Sequence, residues 1–194
     1  MLSASNLSVQ FGKRTLFDEV NITFSSGNCY GIIGANGSGK STLLNILSGK
    51  IQANSGSVNL DLGKRMSVLE QNHNSFDDYS VLETVLRGNV ELFSIKIEME
   101  NIYLKEDFSD SDGIRVGELQ IIYEEMNGWN AENEAASLLS SIGIKENFHC
   151  NLMNTLDGVQ KVKVLLAQSL FGNPDVLIMD EPTNDLDYET ILWL

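Results

Sequence analysis

One stretch of sequence decides the fold class: Gly34-Ala35-Asn36-Gly37-Ser38-Gly39-Lys40-Ser41-Thr42. Glycine has no Cβ, so the backbone of this stretch can adopt tight dihedral angles and approach a phosphate group closely. The preceding segment, Cys29-Tyr30-Gly31-Ile32-Ile33, is apolar and predicts a buried parallel strand. The following residues, 41–48, predict a helix that ends at Gly49. A strand, a glycine-rich loop and a helix in this order predict a phosphate-binding loop in an α/β protein. We call residues 34–42 the phosphate loop.

The phosphate loop predicts a nucleotide site that uses Mg²⁺. Backbone N–H groups at the start of the following helix point at the phosphates, and the helix dipole favours their negative charge. We expect Lys40 to reach the β- and γ-phosphates and the Ser41 hydroxyl to ligate Mg²⁺. The sequence therefore indicates a protein that binds a magnesium nucleotide.

A second segment supplies the carboxylates that hydrolysis requires. The apolar run Val176-Leu177-Ile178-Met179 leads directly into Asp180 and Glu181. A buried strand with this pattern places its charges at the carboxyl end of a sheet. We expect Asp180 to hold Mg²⁺ through water and Glu181 to polarise the attacking water. Phosphoryl transfer asks little covalent chemistry of a protein, so positioning and charge stabilisation by such groups carry the rate.

Composition limits the classes of partner and the cellular location. The chain has 194 residues, which suits one domain with a sizeable core, and a formal net charge of −14. A chain this acidic is expected to be repelled by nucleic acid and by anionic membranes. It has no run of eighteen apolar residues and no secretion signal, so we predict a soluble, cytoplasmic protein with no membrane span. Of the two cysteines, Cys29 is predicted to be a small core residue rather than half of a disulfide.

The remaining chain predicts strands around the phosphate loop and helices after it. Residues 5–11 and 16–24 alternate apolar and polar side chains, which predicts an antiparallel subdomain, and two further short strands are predicted over 55–60 and 65–71. Ser80 and Glu83 predict a capping box at the start of a helix. Further helices are predicted over 131–142 and 159–171.

Residues 89–128 have a different character and predict a helical insert. Two helices, over 90–104 and 114–126, are joined by an acidic turn at 106–113. The apolar residues Leu92, Ile95, Met99 and Ile102 lie on one face of the first helix. Two interpretations stay open: a hairpin that stands off the core, or an ordinary packed helical subdomain. The acidic side chains of the insert would be repelled by RNA phosphate unless basic residues elsewhere supplied positive charge.

The order of these motifs resembles an ATP-binding cassette (ABC). Gln71 follows a strand, the segment 156–160 precedes a helix, and the Asp180 strand continues as Asp180-Glu181-Pro182-Thr183-Asn184-Asp185-Leu186-Asp187. This ending is similar to that of the ABC-F subfamily, which are soluble paired-cassette ATPases that act on ribosomes. The segments 6–12 and 164–171 are most similar to the N-terminal cassette of the YbiT-type branch. The resemblance covers the whole chain.

The resemblance implies a fold and a set of roles. The fold would be a P-loop NTPase cassette over residues 1–194, C-terminally incomplete, with a parallel core sheet, an N-terminal antiparallel β subdomain and a helical arm at about 89–128. ATP and Mg²⁺ would be the cofactors. Phe11 would stack on adenine, and Gln71 would touch Mg²⁺ and sense the γ-phosphate. The signature segment, residues 156–160, would contact ATP held by a second cassette, and Asp187 would belong to the loop that crosses the dimer interface. The arm would approach the ribosome and tRNA.

Two features depart from the resemblance. The family's signature commonly has serine where this chain has Asp157, and a carboxylate near another cassette's γ-phosphate should weaken that contact. Cassettes also carry a switch histidine after the Asp-Glu strand, whereas His73 and His149 both lie upstream and are interpreted as surface loop residues. The chain stops within a helix that Asp187 is predicted to cap. We therefore expect a fragment of a two-cassette protein whose exposed apolar edge favours self-association.

Three functions follow from these features. The first is an ABC-F ATPase fragment that binds MgATP and hydrolyses it poorly alone. The second is the ATPase subunit of a membrane transporter, although Asn184-Asp185-Leu186-Asp187 stands where transporters more often carry Ser-Ala-Leu-Asp. The third is a non-hydrolysing module that uses nucleotide as a switch or structural ligand.

Overall fold

The computed structural model describes residues 1–12, 14–182 and 186–194, with Phe11 described by its backbone. The chain divides into two compact units. The sheet unit contains residues 1–69 and 173–182, and the helical unit contains residues 70–172 and 183–194. The sequence prediction of a single domain with an insert at 89–128 stays a prediction.

The sheet unit contains an antiparallel three-stranded sheet. Strand β1 (Leu2–Phe11) lies between β2 (Arg14–Phe24) and β3 (Ser55–Leu60). The predicted antiparallel subdomain is therefore confirmed. Alternate residues of β1 face the core, since Leu7 is 1% exposed and Val9 is 3% exposed.

A second, parallel sheet lies in the same unit. Strand β4 (Met66–Val68) pairs with β5 (Val176–Ile178), with Val68 opposite Ile178, and the Leu69 amide extends the ladder by donating to the Ile178 carbonyl at 2.9 Å. Helix α1 (Lys40–Leu47) packs its buried residues into the same core as Ile178. The predicted helix after the phosphate loop is thus confirmed, and the two parallel strands place the end of β5 in the unit that carries the loop.

The predicted strand at Cys29–Ile33 does not form. No strand is assigned there, and Ile33 is 97% exposed. A strand needs a neighbouring backbone for its hydrogen bonds, and within residues 1–12, 14–182 and 186–194 no strand pairs with this segment. The prediction that Cys29 is a core residue is also wrong, because its thiol is free and exposed. Tyr30 is held separately, since the Ser25 amide donates to its hydroxyl at 3.0 Å.

Helices form the second unit. Within the described residues they are α2 (Val81–Leu86), α3 (Val90–Tyr103), α4 (Asp110–Glu125), α5 (Ala131–Ser141), α6 (Gly158–Leu170) and α7 (Tyr188–Trp193). Helix α2 packs against both α5 and α6, and its Val81 and Val85 are fully buried. His149 is also buried, at 6% exposed, with Nε2 3.1 Å from the Ile144 carbonyl oxygen, so its interpretation as a surface residue is wrong.

Residues 89–128, which the sequence predicts as an insert, form a helical hairpin whose base is packed. Lys96 on α3 pairs with Glu132 on α5, and the rings of Tyr123 and Trp129 meet edge to face at 5.0 Å. Its far end is open, since Leu104 is 80% exposed. Helix α4 begins four residues before the predicted position, because Ser109 and Asp112 form a capping box within the expected acidic turn.

None of the helices in the described part of the chain is long and apolar enough to cross a membrane.

Candidate nucleotide-binding site

The phosphate loop has the backbone shape that close approach of an anion requires. Gly37 and Gly39 adopt φ values of 75° and 98°, in the region that favours glycine. A Cβ placed on Gly34 would lie 2.8 Å from the Ser38 hydroxyl oxygen. Side chains at these positions would strain or fill the concave loop, so the glycine spacing is explained by geometry.

The start of α1 offers unpaired donors to that loop. Gly39 is the N-cap of α1 and supplies no side-chain hydrogen bond to the first helical turn. The first N–H groups of a helix lack partners within the helix, and the helix dipole is positive there, so this end favours a phosphate. This is the arrangement expected of residues 34–42.

Lys40 is directed at the phosphate loop itself. Its Nζ donates to the carbonyl oxygens of Gly34 at 3.0 Å and Ala35 at 3.2 Å. The ammonium is therefore held at the loop by two neutral oxygen partners. A phosphate oxygen is itself charged, so it would bind the ammonium more strongly than a neutral carbonyl does.

Asp180 and Glu181 follow the carboxyl end of β5, as the sequence predicts. Asp180 is half-buried, and Glu181 is exposed with φ at 49°. A non-glycine residue in the left-handed region is uncommon, and such backbone strain concentrates at functional sites. Both residues belong to the sheet unit, together with the phosphate loop and the backbone of Phe11.

The residues present suit a magnesium ion held mainly by oxygen. Ser41 is exposed at the start of α1, and Asp180 is the carboxylate at the end of β5. In the described ranges there is no cluster of three or more His, Cys, Asp or Glu side chains that would form a complete protein cage. Mg²⁺ in nucleotide sites takes one or two protein oxygens and completes its shell with phosphate and water, so this donor set fits.

The remaining predicted residues lie in the helical unit. Gln71 is exposed just after the start of that unit, and its contact with Mg²⁺ stays a prediction. The signature segment, 156–160, forms the start of α6. Residues 183–185, within the segment 180–187 that carries the resemblance, lie outside the described residues, and so does the side chain of Phe11.

Asp157 has a structural role that sequence reasoning missed. Its carboxylate accepts from the Gln160 amide at 2.8 Å, and its own amide donates to the Gln160 side chain at 3.1 Å. This reciprocal pair is a capping box at the start of α6. The spacing of Asp157 and Gln160 is the same signal that Ser80 and Glu83 supplied, and could have been used here.

Asp187 caps α7, as predicted, and also pairs with a lysine on α6. The Thr190 amide donates to its Oδ1 at 2.8 Å, while Lys163 Nζ lies 2.7 Å from its Oδ2. The hydrogen bond from Lys163, followed by those from Thr190, lowers the pKa of Asp187 to about 2. The carboxylate is therefore ionised at any physiological pH and holds α6 and α7 together.

A second lysine of α6 was not singled out from the sequence. Lys161 is 8% exposed, and its Nζ donates to Asn74 at 2.8 Å and to the Asp77 carboxylate. The segment after Gln71 is thus joined to the helix that begins with the signature segment. No local pattern reveals this bond, because its partners are more than eighty residues apart in sequence.

Comparison with known proteins gives consistent matches along the chain. A family model described as ABC transporter matches residues 17–184. The chain is 53% identical over 194 residues to the Uncharacterized ABC transporter ATP-binding protein YkpA of Bacillus subtilis (strain 168), covering all of this chain and 36% of that protein. It is 44% identical to the Probable ATP-binding protein YbiT of Escherichia coli O157:H7, covering 37% of that protein. The chain therefore spans just over a third of the length of these relatives, and the predicted resemblance to the YbiT-type branch is confirmed.

Solved structures agree on the fold. The dimeric ABC transporter cassette MJ0796 superimposes with a TM-score of 0.68 over all of this chain and 79% of that chain, at 23% identity. An ATP-binding subunit of an ABC transporter gives a TM-score of 0.71 at 16% identity. At these identities the likeness establishes the fold alone, and it confirms the predicted cassette.

Proposed function

Because this chain belongs to the family of ABC transporter ATP-binding domains, we propose that it binds MgATP through residues 34–42 and, within a longer paired-cassette protein, hydrolyses it. The observation that carries the proposal is the phosphate loop: positive φ at Gly37 and Gly39, an uncapped start of α1, and Lys40 held over the loop carbonyls. These three features together favour a polyphosphate ligand over a neutral one.

Each site residue has one task in this proposal. Lys40 exchanges its carbonyl partners for the β- and γ-phosphates, and the amides of residues 34–42 bind the remaining phosphate oxygens. Ser41 and Asp180 would hold Mg²⁺, with Asp180 reaching it through water, and Gln71 would contribute a further oxygen. Mg²⁺ neutralises charge on the transferred phosphoryl group when it is bound.

Glu181 and Phe11 complete the proposed site. Glu181 orients and polarises the attacking water, and its left-handed backbone conformation is the kind of strain that concentrates at functional sites. Phe11 ends β1, where its ring would stack on the adenine. The proposal assigns the catalytic roles to Glu181, Gln71 and Lys40.

Hydrolysis is proposed for the longer protein because the site is one half of a pair. The signature segment of one cassette contacts the nucleotide of the other in the proposed arrangement, so a second cassette is the first partner. We expect this chain alone to bind ATP and to turn it over slowly. Asp157 supports that expectation, since a carboxylate facing a partner's γ-phosphate opposes pairing.

We also propose a ribosome-associated role in translation, in the cytoplasm, by analogy with the ABC-F subfamily. Within residues 89–128, ten carboxylates accompany three cations, and each cation already forms an ion pair: Lys96, Lys105 and Arg115. A surface with this excess of negative charge opposes RNA phosphate. Contact through the hairpin is therefore proposed to involve ribosomal protein rather than RNA.

Separate measurements of binding and turnover test the nucleotide proposal. Isothermal titration with MgATP should give saturable 1:1 binding by the wild-type chain, and Lys40→Ala should abolish it. Glu181→Gln should bind as well as wild type, because Glu181 acts on water rather than on phosphate. Absence of binding by the wild-type chain, or full binding by Lys40→Ala, would contradict the proposal.

The alternative is the ATP-binding subunit of a transporter, which the description of the family model favours. Sedimentation of the whole protein with ribosomes in the presence of ATP, and purification from membranes, separate the two functions. If the whole protein is recovered with a membrane permease instead of with ribosomes, the transporter function would be favoured over the ribosome-associated one. If the full-length protein binds ATP but does not hydrolyse it, the third function, a non-hydrolysing module, would be supported.

A further inference from the structure

The hairpin of β1 and β2 is joined to the phosphate loop by a side chain outside the proposed nucleotide-binding set. Arg14 is the first residue of β2, and its Nη2 donates to the Gly37 carbonyl oxygen at 3.0 Å. Gly37 is the middle glycine of the loop and has φ at 75°. The bond therefore holds the loop at a glycine, where the backbone has wide conformational freedom.

A second, apolar contact lies on the same side of the loop. A Cβ built on Gly39 would meet Leu16 Cδ1 at 3.4 Å and Phe17 Cδ1 at 3.7 Å. The start of β2 thus lies against the loop at two successive glycines, with a guanidinium at Gly37 and side-chain carbons at Gly39. Arg14 is the polar part of this contact, and it leaves most of its five donors for water or ligand.

Arg14 also lies beside the end of β1. It stands directly opposite Phe11 in the antiparallel register. Gln10 adds a side-chain hydrogen bond near this strand end, since its Nε2 donates to the Gly12 carbonyl oxygen at 2.8 Å. The backbone that presents Phe11 is thus one cross-strand step from a side chain bonded to the phosphate loop.

We propose that Arg14 is a positioning residue that couples the adenine end of the nucleotide site to its phosphate end. The inference rests on the proposed function, in which Phe11 stacks on adenine and residues 34–42 hold the phosphates. Arg14 acts through the Gly37 carbonyl rather than on the nucleotide. Loss of Arg14 should therefore reduce the additional affinity that the adenine base gives to the nucleotide. It should reduce the affinity for the phosphates less.

Affinity measurements with and without the base test the coupling. The ligands are MgATP and magnesium inorganic triphosphate, titrated into wild type, Arg14→Ala and Arg14→Lys. Arg14→Ala should bind MgATP more weakly by up to about tenfold, because binding must then reorder a backbone that one hydrogen bond held in the free protein, and should bind triphosphate nearly as well as wild type. Arg14→Lys, which keeps one donor, should recover part of the loss.

Lys64→Ala is the matched control, because it removes one positive charge from the same unit. Lys64 pairs with Asp175, before the amino end of β5, so its loss should leave both affinities within about twofold of wild type. Equal weakening of MgATP and triphosphate by Arg14→Ala would show direct phosphate binding and overturn the proposal. Unchanged affinity for both would also overturn it.

Hydrogen exchange keeps this inference separate from the function on which it rests. The Arg14 bond exists without nucleotide, so Arg14→Ala should speed amide exchange at residues 10–12 and 35–39 of the free protein, while its far-ultraviolet circular dichroism stays that of wild type. Unchanged exchange would overturn the coupling whatever the nucleotide results. Failure of the wild-type chain to bind MgATP, with faster exchange in Arg14→Ala, would contradict the nucleotide proposal and leave the physical link in place.

Discussion

Lys163 and Asp187 form an ion pair that joins α6 to the start of α7, with Nζ 2.7 Å from Oδ2. The lysine side chain is 13% exposed and the aspartate side chain 40%. The same carboxylate accepts from the amide and hydroxyl of Thr190, so it is both an N-cap and an ion-pair partner. This double use explains why its pKa is lowered to about 2.

The first prediction concerns the pH dependence of this pair. The folded-state pKa of Asp187 lies below its ordinary value, so the pair stabilises the fold above about pH 4, and the contribution is lost as the pH falls towards 2. Asp187→Asn keeps the N-cap and removes the charge, so its urea midpoint should lie below that of wild type at pH 7. The gap between the two midpoints should narrow between pH 4 and pH 2. A gap that stays constant over that interval would show that the charge contributes nothing.

A second prediction concerns the start of α4. The Ser109 hydroxyl accepts from the Asp112 amide, and the Asp112 carboxylate accepts from the Ser109 amide at 3.0 Å. Ser109→Ala removes the cap and should cost about 1 kcal/mol in the free energy of unfolding. Amide exchange should rise over residues 110–113, where the helix would fray towards its sequence-predicted start. Ser109→Thr keeps the hydroxyl and should behave as wild type; equal loss in both variants would show that the cap is not the cause.

Elements that depend on local signals were predicted well. The helix after the phosphate loop, the N-cap at Ser80 and the N-cap at Asp187 all follow from a few adjacent residues, and all three are present. The Ser80 hydroxyl accepts from the Glu83 amide as expected, although the Glu83 carboxylate pairs with Arg87 instead of reaching back. Asp180 and Glu181 were likewise placed by one short apolar run.

Elements that depend on distant neighbours were not predicted well. The segment 29–33 has the composition of a strand, yet a strand forms only where another backbone completes its hydrogen bonds. Helix α3, in contrast, was predicted over 90–104 and forms over Val90–Tyr103, although it carries apolar residues on two opposite faces. One face buries Leu92, Ile95, Met99 and Ile102, while the other exposes Val90, Ile97 and Leu104. The face that the sequence analysis singled out is therefore the buried one, and this part of the prediction is confirmed.

A third prediction concerns how much the buried lysine of α6 contributes to the stability of the fold. Lys161 is 8% exposed and pairs with Asp77, so Lys161→Met leaves a partly buried carboxylate without its cation. We expect a loss of about 1–3 kcal/mol in the free energy of unfolding. A double-mutant cycle with Asp77→Asn should give a coupling energy of about 1 kcal/mol or more.

Lys96→Met is the control for Lys161→Met, because it removes a lysine from a more exposed ion pair. Lys96 pairs with Glu132, whose side chain is 59% exposed, and surface pairs of this kind contribute less than about 1 kcal/mol. Lys161→Met should therefore destabilise the protein more than Lys96→Met in urea unfolding. The reverse order would show that burial of Lys161 does not strengthen its ion pair.

A final prediction uses two glycines with opposite surroundings in the helical unit. A Cβ on Gly88 would lie 1.9 Å from the carbonyl oxygen of Gln168, so backbone must move to accommodate alanine between α2 and α6. Gly88→Ala should cost about 3 kcal/mol in the free energy of unfolding, as expected for overpacking against a rigid neighbour. Gly117 lies inside α4 with nothing within 4 Å of its Cβ position, so Gly117→Ala should gain up to about 1 kcal/mol from helix propensity. Thermal melts should move in opposite directions, and a Gly88→Ala melt that matches wild type would rule out the close packing of α2 on α6.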